Sequence, residues 1–551
     1  MVEVFYLVSK LISQHYFEEG SMRIISIFGL LTIFVFHSLE ASVKKVPQDY
    51  AKIQLAINAA VNGDTVLVSD GTYKENLVLT KKITVASLYF QDKNTSHISN
   101  TILDGSSPTN PDSASVITID GATDTTTMIV GFTIKGGKGN VYNTYRMGFA
   151  FDVEGGGATI RKNIITANNV TTTQNAGGVI NIWDMTETNK LTFVIVEDNT
   201  IADNVVQAAS AEGGAFGIGG NCRIVRNRIL RNTAFGTGSG YGGAAQIWNG
   251  IITFDGNLIA DNYASHWGGA IQANQFNAYV PIITFVNNIF ANNSAGTQGG
   301  ALWVSGSLSK MTSINNTFVG NTSPNGASLY MQSGSFKALN TILWNSGVSE
   351  IVRISGSIAV AYSNIRGGFT GVGNIDTNPL FKSTNIDSLG ILQDTSRCIG
   401  TGISSASVGG VTLNAPFVDY YSTTRPRGAG TNPDMGAVEN DLPTAVEVVN
   451  NLTELPISFE LSQNYPNPFN PTTKIRYALP SSAQVKLVIY DIMGREIETL
   501  VNEEQFAGWK EMEWNAHNVS SGIYFYKLTT RHASAGSGQV FVEVKKMLLV
   551  R

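Results

Sequence analysis

At 551 residues the chain is several times the usual domain of about 100–150 residues, so it holds one long architecture or at least two folded units. Charged residues make up 14% and glycines number 56, few charges and many glycines beside globular averages of about 25% and about 7%, which points to stacked, turn-rich β-structure. A net charge of −5 offers no broad positive field and argues against nucleic acid as a partner. Cys222 and Cys398, the two cysteines, can build neither a disulfide framework nor a Cys-based zinc site.

At the amino end, Arg23 precedes an apolar run from Ile24 to Phe36, and Ser38-Leu39-Glu40-Ala41 supplies a small-residue cleavage point. The run is shorter than the ~20 residues a membrane span needs, and it resembles a secretory signal peptide. Residues 1–41 therefore read as an extension plus signal, with Met22 the natural start and the mature chain beginning near Ser42. Removing the signal leaves no transmembrane segment.

From Asn163 onward the pattern Asn-x-[Ile/Phe/Leu]-x-x-Asn starts at Asn163, Asn199, Asn227, Asn257, Asn288, Asn316 and Asn340, in steps of 24 to 36 residues. That is the period of one solenoid coil. Between the starts lie the pairs Gly177-Gly178, Gly213-Gly214, Gly242-Gly243, Gly268-Gly269 and Gly299-Gly300, and both Asn and Gly tolerate left-handed corners. Short β-branched segments such as Ile251-Ile252-Thr253-Phe254 fill the intervals, too brief for helices. The expected fold is all-β, a parallel β-helix whose coils stack at about 4.8 Å and set Asn above Asn.

Ahead of the repeat, Ile53 to Ala60 (IQLAINAA) predicts a capping helix, followed by GDTV at 63–66 and GTYKEN at 71–76. This entry resembles the amino-terminal cap of right-handed parallel β-helix proteins of the pectin lyase-like superfamily, and the resemblance implies one right-handed solenoid over 42–439. The superfamily mixes lyases, hydrolases, esterases and non-enzymatic surface proteins, so fold alone does not decide activity. Asn378-Pro379-Leu380-Phe381, Arg425-Pro426 and the DMGAVE run at 434–439 resemble the closure of bacterial surface β-helices. Six coils between Cys222 and Cys398 put the thiols roughly 29 Å apart at about 4.8 Å per coil, beyond disulfide reach.

A linker over 440–456 leads to a module at 457–551 with period-two strands at Ile475, Tyr477, Leu479 and at Val485, Leu487, Ile489. These predict a small antiparallel, Ig-like β-sandwich. The motif Tyr465-Pro466-Asn467-Pro468-Phe469-Asn470-Pro471, the turn ending in Gly494, the SGIYFYKL strand and the tail with Lys545 and Lys546 resemble the type A sorting domain of the Bacteroidota type IX secretion system. That resemblance implies type IX machinery as partner and a secreted or cell-surface location.

Aligning coils on their glycine pairs puts Ile180, Phe216, Ala245, Ile271 and Leu302, then Ile182, Ile218, Ile247, Ala273 and Val304, in inward columns. The positions between them hold Asn181, Gln246, Gln272 and Trp303, with Trp183 and Trp248 further on, and are expected to point outward. Indoles stack on sugar rings and amides bond hydroxyls, so these six are candidate carbohydrate contacts on an exposed face, with a loop covering the tryptophans, or isolated surface aromatics, the bland alternative. Aligning on the repeat Asn instead stacks Asp203, Arg231 and Asp261. This column offers acid, base and carboxylate for a lyase or hydrolase, or a salt-bridge ladder at a corner. His266 beside Trp267 lacks an aligned partner, and the Gln393-Asp394-Thr395 tripeptide lacks the other esterase motifs. No metal motif appears, so no cofactor is expected, with calcium left open and unsupported by a motif.

The sequence thus leads to a secreted or surface β-helix passenger, a non-catalytic glycan-binding or adhesive protein. The alternatives are a polysaccharide lyase or glycoside hydrolase acting on an acidic polysaccharide, and a structural surface repeat.

Overall fold

The computed structural model describes residues 41–121, 123–183, 193–276, 279–427, 432–440, 456, 458–480, 483–505, 508–532 and 540–550. The expected signal segment apart from Ala41, and the linker apart from Asn440 and Pro456, lie outside them. The chain divides into two compact units, Met1–Thr444 and Ala445–Arg551.

The first unit opens with the helix Ile53–Ala59, which buries Ile53, Ala56 and Ile57 over the end of the solenoid. Its first free N–H groups need an acceptor, and the GTYKEN motif supplies one: the Glu75 carboxylate accepts from Ile53 N at 2.9 Å and Gln54 N at 3.1 Å. Three long sheets follow, of twelve, eleven and ten strands among the described residues. Within these three sheets every pairing joins one coil to the next in parallel, for example Phe216↔Ala245, Ala245↔Ile271 and Ile271↔Leu302. The predicted inward columns are fully buried, and aromatics stack along the axis, Phe290 on Phe318 at 4.4 Å.

Two asparagine rows hold the coils in register. Asn199 Oδ1 accepts from both the backbone N and the Nδ2 of Asn163, and the same double acceptance repeats through Asn227, Asn257, Asn288 and Asn316. A second row runs from Asn168 through Asn204, Asn232, Asn262, Asn293 and Asn321 to Asn345. Asn340 departs from the predicted column. Thr317 pairs with Ile342, so Thr341 stands below Asn316, and its N–H donates to Ser363 Oγ. Asn340 is thereby displaced to bond Ile403 O and Asn315 Oδ1.

A fourth, lateral sheet of nine strands contains Val205–Glu212 and Thr233–Tyr241 together with the antiparallel hairpin Gly139–Tyr142/Tyr145–Met147. Tight glycine turns fold it back onto the ten-stranded sheet. Gly242 (φ 59°) and Gly268 (φ 65°) lie so close to the carbonyls of Ala245 and Ile271 that a Cβ would sit 2.0 and 2.4 Å from those oxygens; only glycine fits there.

Downstream of the coils, the closing segment runs back along the solenoid and seats Leu389, Ala437 and Val438 against Leu230, Leu258 and Ile289. The fully buried Arg425 guanidinium anchors it, 3.0 Å from Glu439 and donating to the carbonyls of Asp434, Gly436 and Ala437. Cys222 and Cys398 are free and buried.

The second unit packs a three-stranded sheet (Glu460–Leu461, Thr472–Leu479, Gly508–Asn515) on a four-stranded one (Ala483–Asp491, Glu496–Gln505, Gly522–His532, Val540–Leu549). Ile475, Tyr477, Leu487, Ile489, Trp514 and Tyr526 form its core. Both sheets are antiparallel.

Candidate functional site

The outer face of the ten-stranded sheet carries two side-chain columns. Pairing aligns Thr118, Asp152, Asn181, Gly217, Gln246, Gln272, Trp303 and Tyr330 in one. The other holds Asp120, Glu154, Trp183 and Gly219, with Trp248 beyond. The strand Phe216–Gly219 thus presents glycine at both outward positions, leaving a bare notch. Indoles from the coils on either side fold over it: a Cβ on Gly219 would lie 2.9 Å from the Trp183 ring, and one on Gly217 3.4 Å from that of Trp248. The two indoles meet edge to face, centroids 5.6 Å apart at 79°.

Above this notch lies a cavity of about 350 Å³, in the size range of small-molecule sites. Trp183, Trp248, Asn181 and Glu154 face it from the sheet; Tyr142, Asn143, Tyr145 and Met147 come from the hairpin, Glu212 from the lateral sheet and Phe276 from a neighbouring loop. Among the described residues no Lys or Arg lines it.

The polar groups at its edge are organised around Asp152. This carboxylate is fully buried and accepts from Asn140 Nδ2 at 2.7 Å, Tyr142 Oη at 2.5 Å and Asn181 Nδ2 at 2.8 Å. Burial pushes its carboxyl up, against the three hydrogen bonds that favour the charged form. Glu154 is pushed up by burial and then by the Asp152 charge. Glu212 is pushed up to about 7 by burial, opposed by a hydrogen bond from Ser210. Asn181 Oδ1, with its amide nitrogen turned to Asp152, is buried with no partner. Among the described residues no three acidic, His or Cys groups converge closely enough to hold a metal ion.

The expectation of an exposed amide face needs correcting. Asn181, Gln246, Gln272 and Trp303 retain 1%, 3%, 1% and 5% exposure, because the glycine turns fold the lateral sheet over that column. Trp303 stacks on Trp267 at 4.7 Å and its indole N–H donates to Gln298; it lies outside the cavity lining, as do Gln246 and Gln272. Trp183, Trp248 and Asn181 are brought together. Glu154 and Glu212 line the cavity, and the buried Asp152 is bonded to its lining residues Tyr142 and Asn181. Sequence reasoning missed them, along with Tyr142 and Tyr145.

Asp203, Arg231 and Asp261 stack at a corner where each backbone is left-handed, φ 59°, 53° and 56°. Arg231 grips Asp203 through two 2.8 Å bonds, and Asp203 holds the guanidinium pKa above its ordinary value. These residues lie apart from the cavity lining. The adjacent charges pair likewise, Arg226 with Asp198 at 2.8 Å and Lys162 with Asp198 at 3.9 Å. His266 Nδ1 accepts from Gly240 N at 3.1 Å and contacts Ser265 Oγ at 3.0 Å, a corner role.

In the second unit the YPNPFNP motif is pinned at Phe469 and open at Tyr465. Phe469 is buried beside Trp514, its N–H donates to Leu548 O and its carbonyl accepts from Val550 N. Asn464 N donates to Tyr526 Oη at 2.8 Å, and Tyr465 is 81% exposed. In the turn before Gly494, Asp491 accepts from Met493 N and Arg495 N. Lys545 pairs with Glu543 at 3.0 Å.

Residues 463–542 match the family model of the secretion system C-terminal sorting domain. Compared with curated proteins and with solved structures, the chain finds no match. No described helix is long and apolar enough to cross a membrane. The carboxyl-terminal unit is a type IX sorting domain, and it directs the β-helix it carries to secretion and the outer-membrane surface.

Proposed function

We propose that the β-helix is a glycan-binding passenger that holds a sugar unit in the cavity beneath the Tyr142–Tyr145 hairpin. One observation carries this reading: Trp183 and Trp248 arch over the bare Gly217/Gly219 notch. Indole and phenol faces match the apolar faces of a pyranose ring, while the carboxylates and the unpartnered Asn181 Oδ1 accept from its hydroxyls. An acidic polysaccharide is disfavoured as ligand, because no cation among the described lining residues neutralises a uronate. Replacing Trp183 and Trp248 together with Ala abolishes retention on immobilised neutral or basic glycans and leaves the circular-dichroism melt in place. Retention equal to wild type overturns the reading.

A second reading, glycoside hydrolysis, is favoured by Glu212, whose pKa of about 7 suits a general acid, sharing the cavity with Glu154. It requires shortened oligosaccharides on mass-spectrometric analysis, lost in Glu212→Gln. Intact polymers throughout reject it.

A further inference from the structure

Resting on the glycan-binding reading, we propose that the cavity selects a sugar bearing a free ammonium group, an unacetylated amino sugar, over its neutral and acidic counterparts.

Donors closest to the buried carboxylate are already engaged: Asn140 Nδ2, Tyr142 Oη and Asn181 Nδ2 all point to Asp152. Asn181, 1% exposed, keeps an acceptor oxygen with no partner, and Glu154 and Glu212 add carboxylates to the same cavity. The Asn181 oxygen lies towards the notch, 3.4 Å from where a Cβ on Gly217 would stand. A group placed there must donate, and an ammonium carries three donors and no acceptor.

Electrostatics leads to the same chemistry. Asp120 pairs in register with Glu154 and adds its charge to those of Asp152 and Glu154. No Lys or Arg stands among the described lining residues, and the described carboxylates do not converge as a metal-ligand set. A cationic ligand is therefore the electrostatic complement of these described groups. The walls suit it, since Trp183, Trp248, Tyr142 and Tyr145 present the negative faces of their rings to a cation while stacking on a pyranose. A neutral N-acetyl sugar gains the stacking and the hydroxyl hydrogen bonds without the charge attraction, and a uronate meets repulsion.

The test titrates the full chain, by calorimetry at pH 6.5, with a β-1,4-glucosamine tetramer, its N-acetylated equivalent, a galacturonate tetramer and an N-acetyl-lysine methylamide control. The glucosamine tetramer is expected to bind about tenfold or more tighter than the N-acetylated one, with galacturonate and the lysine amide not retained. Glu154→Gln, nearly isosteric and in the same lining, reduces that preference by about tenfold with a melting temperature no lower than wild type. Equal binding of the two hexosamine tetramers overturns the ammonium assignment and leaves glycan binding intact. Binding of the lysine amide as tight as the tetramer overturns the sugar part. No binding by any oligosaccharide overturns the glycan reading and this inference together.

Discussion

Two rows of buried amides run along the same solenoid and differ in one respect. In the corner row, Asn257 donates Nδ2 to Ile224 O and Asn288 Oδ1, and its own Oδ1 accepts from the N and Nδ2 of Asn227. On the outer face, the oxygens of Asn181, Gln246 and Gln272 accept from nothing. A buried amide with every atom paired is a structural element; one left unpaired carries a desolvation cost that a ligand can offset, and native proteins keep few of them. Residue type and burial do not separate the rows. Partner accounting does.

The largest break in this comparison is expected from Asn257→Ala. It strands the Asn227 donors and the Ile224 carbonyl in the core, and should cost about 3 kcal/mol or more in urea denaturation of the solenoid. Glu212→Gln comes next. The wild-type carboxyl, raised to about 7 from 4.5, contributes stability that is complete below 4.5 and lost as pH rises through 7. The variant, a mimic of the protonated acid, should therefore melt about 2 °C higher than wild type at pH 8 and equal to it at pH 4. Arg231→Ala removes an exposed pair to Asp203 and should cost about 0–1 kcal/mol, measured by the same denaturation, with glycan retention unchanged. Smallest of all, Gln272→Leu removes an unpaired oxygen and should shift stability by less than about 0.5 kcal/mol, where Asn257→Ala unravels a corner.

Much of the solenoid was legible because it repeats. The inward columns from Ile180 to Leu302 and from Ile182 to Val304 follow from counting after each glycine pair, and both asparagine rows from counting between corners. Counting fails where a coil changes length. Phe151 pairs with Ile180 and Met147 with Gly177, so the coil from Gly148 carries one extra residue before its outer strand; an alignment from the glycine slips and turns Asp152 and Glu154 inward. Asn340 misled for the same reason, its coil being shorter. Glu212 precedes its glycine pair and belongs to the lateral sheet, whose return over the face depends on turn geometry. The Gly-x-Gly of 217–219 was the available signal: two adjacent outward positions without side chains, flanked by tryptophans on the coils either side.

In the sorting domain, Phe469 is bonded on both sides by the last strand, donating to Leu548 and accepting from Val550. A motif near the start of the module thus takes its conformation from residues some eighty positions later. Chains whose synthesis stops early, or whose final strand fails to dock, present no such arrangement. The sorting unit therefore reports on itself: its opening motif is held in this form only once its own last strand has docked.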